Sequence, residues 1–247
     1  WNRQGSGPTV QFYKTYLVNA TTGWAVGENG TILHTTDAGT SWLPQTSGTP
    51  NHFHGAYFKN ASNGWVVGTG GTIRHTTNRG TNWNSQTSGT TKYLEGVYAI
   101  SDSNCWVVGD SGKIFHTTNG GTNWNPQTSG TPRHLEGVFF WDARNGMAVG
   151  DTGKILYTTN GGNNWDTIPS GTSNNLYAIT FTDAQTGWIA GKSGTILHTT
   201  DGGGSWNPQT SNTSVTLYGL YFKDADNGWM VGAGGKILYT TNGGSNW

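Results

Sequence analysis

The sequence predicts an all-β protein, a six-bladed β-propeller with four antiparallel strands in each 41-residue blade, and three observations carry that prediction. The position after a Thr-Thr pair recurs as Asp37, Asn78, Asn119, Asn160, Asp201 and Asn242, each 41 residues from the last without insertion or deletion. A tryptophan marks a second phase of the same repeat at Trp1, Trp42, Trp83, Trp124, Trp165, Trp206 and Trp247. Each unit also reads as four short strands separated by turn residues, and four strands at about 40 residues per repeat are the signature of a propeller blade. Residues 1–247 are expected to form one domain of this kind.

The elements follow in order along one unit. In the second, "FHGAYFK" from Phe53 is apolar and aromatic enough for an innermost strand. "NGWVVG" from Asn63 is a turn and a second strand, "GTIRHTT" from Gly71 a third, and "WNSQTSG" from Trp83 a polar fourth. The last unit stops at Trp247 before a fourth strand, while "NRQGSGPT" from Asn2 aligns with "NPQTSGTP" from Asn125. The N-terminal segment is therefore expected to close the last blade by supplying its outer strand, which would cover an edge.

Composition excludes several classes. With 40 Gly, 13 Trp, 11% charged residues and a formal charge of zero, the chain lacks the basic stripe a nucleic-acid binder uses to neutralise phosphates. No apolar run is long enough to span a membrane as a helix, so no membrane insertion is expected. The lone Cys105 stands where other units place Gly23, Gly64, Gly146, Gly187 and Gly228, so it reads as a small buried residue. No initiator Met or signal-like run is present, and a processed or excised chain is expected. Low charge and many tryptophans suit an extracellular or periplasmic location.

The hairpin between the third and fourth strands carries Thr-Thr-[Asp/Asn]-x-Gly-x-x-Trp in all six units. The Asp or Asn can accept backbone N–H bonds, the Gly can take positive φ, and the Trp folds back as an apolar plug. This pattern resembles the Asp-box, the bacterial neuraminidase repeat. Joined to "GWAVGENGTILHTTDAGTSW" from Gly23 and "GWVVGTGGTIRHTTNRGTNW" from Gly64, it looks like the photosystem II assembly factor type of propeller repeat. The resemblance covers the whole chain and implies the fold. It implies no single function, because the box recurs in sialidases, xyloglucanases, sorting receptors and assembly factors. A sialidase brings three arginines onto a carboxylate, whereas Arg3, Arg74, Arg79, Arg133 and Arg144 fall on scattered phases. The assembly-factor family has seven blades and an arginine-lined face, and here the repeat count is six and arginines are few. The tryptophans of the "GW" strand, with Met147 in the fourth unit, read as core, and His34, His75, His116 and His198 share one phase with Tyr157 and Tyr239, as interchangeable packing residues.

Function is sought at phases where the units differ. At the start of the innermost strand the units carry Gln11, His52, Tyr93, His134, Asn175 and Thr216, and two residues later Tyr13, His54, Glu95, Glu136, Tyr177 and Tyr218. The turns after the second strand add Glu28, Thr69, Asp110, Asp151, Lys192 and Ala233. These positions belong at the mouth of a propeller channel, the face on which such folds commonly bind ligands. The expected ligand-binding residues are Tyr13, His52, His54, Glu95, His134, Glu136, Tyr177 and Tyr218, divided into a titratable half of His and Glu and a stacking half of three tyrosines. His52 and His54 share a strand face with the spacing a metal could use, but no local motif supports a metal or any other cofactor. The reading is a non-enzymatic, monomeric binding or scaffold propeller that recognises a glycan or a protein segment. A glycoside hydrolase of sialidase or glycosidase type, with Glu95 and Glu136 as its carboxylates, and an engineered or recently amplified propeller without a selected ligand are the alternatives.

Overall fold

A computed structural model describes Gly7 and residues 9–247. The expected closing strand from Asn2 to Thr9 lies almost wholly outside these residues. Two compact units, Trp1–Pro126 and Gln127–Trp247, each carry three blades of the β-propeller.

In the first unit, blade one is β1 (Phe12–Leu17), β2 (Gly23–Gly27), β3 (Ile32–Thr35) and β4 (Leu43–Gln45). Blade two is β5 (Phe53–Phe58), β6 (Gly64–Gly68), β7 (Thr72–Thr76) and β8 (Asn84–Thr87). Blade three is β9 (Leu94–Ala99), β10 (Cys105–Gly109), β11 (Lys113–Thr117) and β12 (Asn125–Thr128). In the second unit, blade four is β13 (Leu135–Phe140), β14 (Gly146–Gly150), β15 (Lys154–Thr158) and β16 (Asp166–Ile168). Blade five is β17 (Leu176–Phe181), β18 (Gly187–Gly191), β19 (Ile196–Thr199) and β20 (Asn207–Gln209). Blade six shows three strands among the described residues, β21 (Leu217–Phe222), β22 (Gly228–Gly232) and β23 (Ile237–Thr240). Strands pair antiparallel in chain order within each blade, as the strand-and-turn rhythm predicts.

Blades hold one another through layered aromatic and aliphatic packing. Trp24, Val26 and Ile32 of blade one are covered by Phe53, Ala56, Phe58 and Trp83 of blade two, and Trp24 lies flat on Phe58 with ring centroids 3.7 Å apart. Blade five repeats the arrangement on blade six, with Trp188 stacked on Phe222 at 3.6 Å. Cys105 is fully buried, as its glycine counterparts predict. The shared histidine phase is a packing phase: His34, His75, His116 and His198 stack on Trp24, Trp65, Trp106 and Trp188 at 4.2–4.8 Å.

The Asp-box is a self-contained turn. In blade one, Thr35 Oγ1 donates to Asp37 Oδ1 at 2.8 Å, and Asp37 Oδ1 accepts the Ser41 N–H at 2.9 Å. Asp37 Oδ2 accepts Ser41 Oγ–H at 2.6 Å, and Asp201 accepts from Ser205 in the same way. The four units with Asn have Asn at the later position also, and their single amide oxygen still accepts the backbone N–H, for instance from Asn82 to Asn78 at 2.9 Å. These bonds, led by the serine hydroxyl, hold the Asp37 and Asp201 carboxyls down at about 2. The box is occupied by its own turn.

A clamp between blades is not evident from the motif. The Gln86 side chain donates through Nε2 to the Gly120 carbonyl at 2.7 Å and accepts Trp124 Nε1–H on Oε1 at 3.2 Å. Gln45, Gln127 and Gln209 repeat both bonds to the next box and its tryptophan. Ile168 interrupts the series, and Trp206 Nε1 is buried without a hydrogen-bond partner.

Candidate functional site

Each blade carries the same construction at the start of its innermost strand. The strand slips register against its neighbour there, and the slip falls between Phe12 and Lys14, Phe53 and Gly55, Leu135 and Gly137, Leu176 and Ala178, and Leu217 and Gly219. Blade three has the matching slip, in which Leu94 pairs with Gly109 and Gly96 with Val108. The residue skipped by the ladder is Tyr13, His54, Glu95, Glu136, Tyr177 or Tyr218. A β-bulge releases one residue from the ladder and re-aims its side chain, which is why this phase varies without disturbing the blade.

The preceding variable phase is pinned to the turn beside it. The N–H of Glu28 donates to the Gln11 carbonyl at 3.0 Å, Thr69 to His52 at 2.9 Å, Asp110 to Tyr93 at 2.9 Å, Asp151 to His134 at 3.0 Å, Lys192 to Asn175 at 2.8 Å and Ala233 to Thr216 at 2.9 Å. Each turn is tight because its last glycine has positive φ. A Cβ on Gly71 (φ 70°) would run into the Thr90 carbonyl oxygen. Three variable side chains per blade are thus brought together by backbone bonds and a bulge, leaving their chemistry free of the fold.

In the first unit these groups form one connected cluster. His54 Nδ1 lies 2.9 Å from Glu95 Oε2 in a partly buried contact that is an ion pair when the ring is protonated. Tyr13 stacks on the His54 ring at 5.0 Å with 12° between planes, and Tyr93 lies tilted at 6.0 Å on it. The Tyr13 hydroxyl donates to Glu28 Oε1 at 3.4 Å, and the Gln11 N–H to Glu28 Oε2 at 3.2 Å. Desolvation first and the Glu28 carboxylate second raise the Tyr13 phenol above its ordinary value. Tyr13 is thus held between the His54 ring and the Glu28 carboxylate. His52 is half-buried beside the cluster; its N–H donates to Thr69 Oγ1 at 3.0 Å, while its Nδ1 has no partner.

In the second unit Tyr177 and Tyr218 pair at 5.3 Å with a 52° tilt. Burial raises the Tyr177 phenol, a hydrogen bond from Asn175 opposes the shift, and the charges of Glu136 and Asp151 add to it. The tyrosine pair is accordingly within the field of Glu136. The Thr152 N–H donates to Asn175 Oδ1 at 3.1 Å, linking blade four's turn to blade five's strand. His134 is pinned through its carbonyl to Asp151. Among the described residues, no three His, Cys, Asp or Glu side chains come together as a metal site.

The chemistry offered is that of recognition at an open surface. Tyr93 and Tyr218 are 48% and 56% exposed, so their rings can lie against an extended partner. Sequence reasoning named this phase but not the bulge that frees it; the available signal was a position that holds Tyr, His or Glu directly after a large apolar residue in every unit. It missed Tyr93 as a contact of His54 and Glu28 as a partner of Tyr13.

Comparison with known proteins places this geometry in context. Solved structures similar in fold include "YCF48 bound to D1 peptide", at 20% identity and a TM-score of 0.55, covering 96% of this chain and 93% of that one. YCF48 from Cyanidioschyzon merolae is similar at 19% identity and a TM-score of 0.55, over 96% and 97% of the two chains. The GH74 enzyme of Niastella koreensis aligns at 16% identity and a TM-score of 0.77, over 99% of this chain but 45% of that enzyme. A search of curated proteins returned no match. The family described as photosynthesis system II assembly factor YCF48 matches residues 7–131 and 126–214, most of the sequence, and the chain belongs to that family.

Proposed function

We propose that the chain is a non-catalytic propeller that binds a protein segment across the bulge residues at the starts of its innermost strands. The observation that carries the reading is the connected cluster of Tyr13, His54, Tyr93 and Glu95, a histidine–carboxylate contact flanked by aromatic rings at an open surface. An extended peptide can offer such a surface a charged side chain or terminus for His54 and Glu95 and side chains or peptide planes for the tyrosines. Support comes from the family, one solved member of which is bound to a D1 peptide. In this reading Glu95 serves as a partner of His54 and not as a hydrolytic carboxylate.

The tilted pair Tyr177 and Tyr218, beside Asn175, favours a second reading, a glycan stacked on the rings. A peptide array that includes D1 peptides, run against a glycan array with the full chain, separates the two. Binding to peptides that is lost in a His54→Ala, Glu95→Gln variant supports the proposal. Binding confined to glycans and lost in Tyr177→Ala, Tyr218→Ala would replace it with the second reading, and hydrolysis of any arrayed glycan would overturn the non-catalytic assignment.

A further inference from the structure

Two variable phases meet beside the bulge row, and their contents change as a pair. One phase holds Asn51, Lys92, Arg133, Asn174 and Val215, and the residue after each turn glycine in the same blades is Thr72, Lys113, Lys154, Thr195 and Lys236. Where the pair is Asn and Thr the side chains bond directly: Asn51 Nδ2 donates to Thr72 Oγ1 at 2.7 Å and Asn174 Nδ2 to Thr195 Oγ1 at 2.9 Å. Blades three and four put a cation at both positions, Lys92 with Lys113 and Arg133 with Lys154. Positions that bring neutral side chains within hydrogen-bond reach thus carry two like charges, whose repulsion a shared anion relieves.

In the second unit Arg133 and Lys154 line one open groove with the hydroxyl residues Thr131, Thr152, Thr167 and Ser173, and no carboxylate among the described residues lines it. Asp151, at the head of the same turn, acts on Tyr177 instead. Among the described residues, no hydrogen bond or ion pair engages the side chain of Arg133 or Lys154. Arg74, by contrast, is spent internally, its Nε donating to the Ser47 carbonyl at 2.8 Å and its Nη2 to the Gly48 carbonyl at 3.1 Å. The backbone around the groove is spent as well: the Arg133 N–H donates to Thr131 Oγ1, the Thr152 N–H to Asn175 Oδ1 and the Thr172 N–H to Ser170 Oγ. These N–H groups therefore form no phosphate cradle. What the groove offers is a guanidinium fork, an ammonium and hydroxyls, a set that matches a planar carboxylate.

We infer that this groove binds a side-chain carboxylate of an acidic protein segment, with the Arg133 guanidinium donating to both oxygens and the Lys154 ammonium adding a further donor. The site rests on the protein-segment function proposed above and gives that segment its chemistry, a chain bearing Asp or Glu. Blade three repeats the donor pair beside the aromatic cluster: Lys92 directly precedes Tyr93, and Lys113 ends the turn whose Asp110 N–H is bonded to the Tyr93 carbonyl. Because the formal charge of the chain is zero, the attraction is local to these pairs and weakens with salt.

The test is fluorescence anisotropy of a labelled Gly-Glu repeat peptide and its Gly-Gln counterpart on the full chain at low and high salt. The variant Arg133→Asn, Lys154→Thr installs the bonded pair that blades two and five already hold, so it removes both charges while keeping a pairing the fold uses. Native protein should bind the Glu peptide in preference to the Gln peptide, more weakly as salt rises, and this variant should bind it about tenfold more weakly. Arg133→Lys keeps the charge without the fork and should fall between the two. Arg79→Gln, Arg144→Gln removes as much charge from exposed positions elsewhere and should stay within about twofold of native. Equal losses in the groove and control variants, or no preference for the Glu peptide, overturn the inference, and stronger competition by inorganic phosphate than by acetate overturns the carboxylate assignment. Loss of array peptides in His54→Ala, Glu95→Gln with none in Arg133→Asn, Lys154→Thr keeps the protein-segment function and overturns the groove; no loss in either overturns both.

Discussion

Lowering the pH from 7 to 4 should destabilise the protein through two desolvated histidines, His75 buried and His116 half-buried. His75 is 8% exposed, stacked on Trp65 at 4.2 Å, with Nε2 2.8 Å from Asn63 Oδ1. His116 repeats this on Trp106 at 4.3 Å, with Nε2 2.6 Å from Asn104 Oδ1. Burial pulls both rings from an ordinary 6.5 down to about 4, with the Asp102 charge opposing it at His75. Because the folded value lies below the unfolded one, the neutral ring is favoured by folding. The contribution is complete above the unfolded value of 6.5 and is lost as pH falls toward 4. At about 1.4 kcal/mol per unit, the full shift corresponds to roughly 3 kcal/mol for each ring. Solvent screening at the partly accessible ring edges reduces this to about 1.5 kcal/mol each, or about 3 kcal/mol together. Asp37 and Asp201, with values near 2, release their contribution only below this window. The repeat supplies its own control: Tyr239 occupies the histidine phase in blade six, stacks on Trp229 at 4.8 Å and donates its hydroxyl to Asn227 Oδ1. Urea unfolding followed by tryptophan fluorescence at pH 7, 5.5 and 4 should show the native protein losing about 3 kcal/mol, and a His75→Tyr, His116→Tyr variant losing less than about 1 kcal/mol. Equal losses in both would refute the argument.

Other outcomes follow from the blade contacts. Gln86→Ala strips partners from the Gly120 carbonyl and Trp124 Nε1 and should cost about 1–3 kcal/mol in chemical denaturation. Met147 lies over Gly203 where glutamine lies over Gly80, Gly121, Gly162 and Gly244. The double change Met147→Trp, Ile168→Gln should return a partner to Trp206 Nε1 and raise stability by about 1 kcal/mol; a fall would show that the Met147–Ile168 pairing is the better packing. Gly71→Ala forces a Cβ against the Thr90 carbonyl at positive φ and should lower the melting temperature by several degrees, roughly what 1–2 kcal/mol produces.

The blade was legible because its signals are local. The Asp-box turn is dictated by Thr35, Asp37 and Gly39 within five residues, and the strands by apolar runs between glycines. The clamp of Gln86 was not, although Gln45, Gln86, Gln127 and Gln209 stand at one phase, because its partners lie 34 and 38 residues away in the next blade. The site was legible as a phase but not as an arrangement. A period shows that His54, Glu95 and Tyr13 are equivalent positions, but the bulge and the spacing between neighbouring blades decide that His54 meets both.

The claim that the bulge residues bind a protein segment is tested most directly by calorimetry of the tightest peptide from the array against a His54→Ala, Glu95→Gln variant. Native protein should bind, and the variant should bind at least about tenfold more weakly, roughly 1.4 kcal/mol, at an unchanged melting temperature. Equal affinity in a folded variant would contradict the account and move the binding surface elsewhere on the blades.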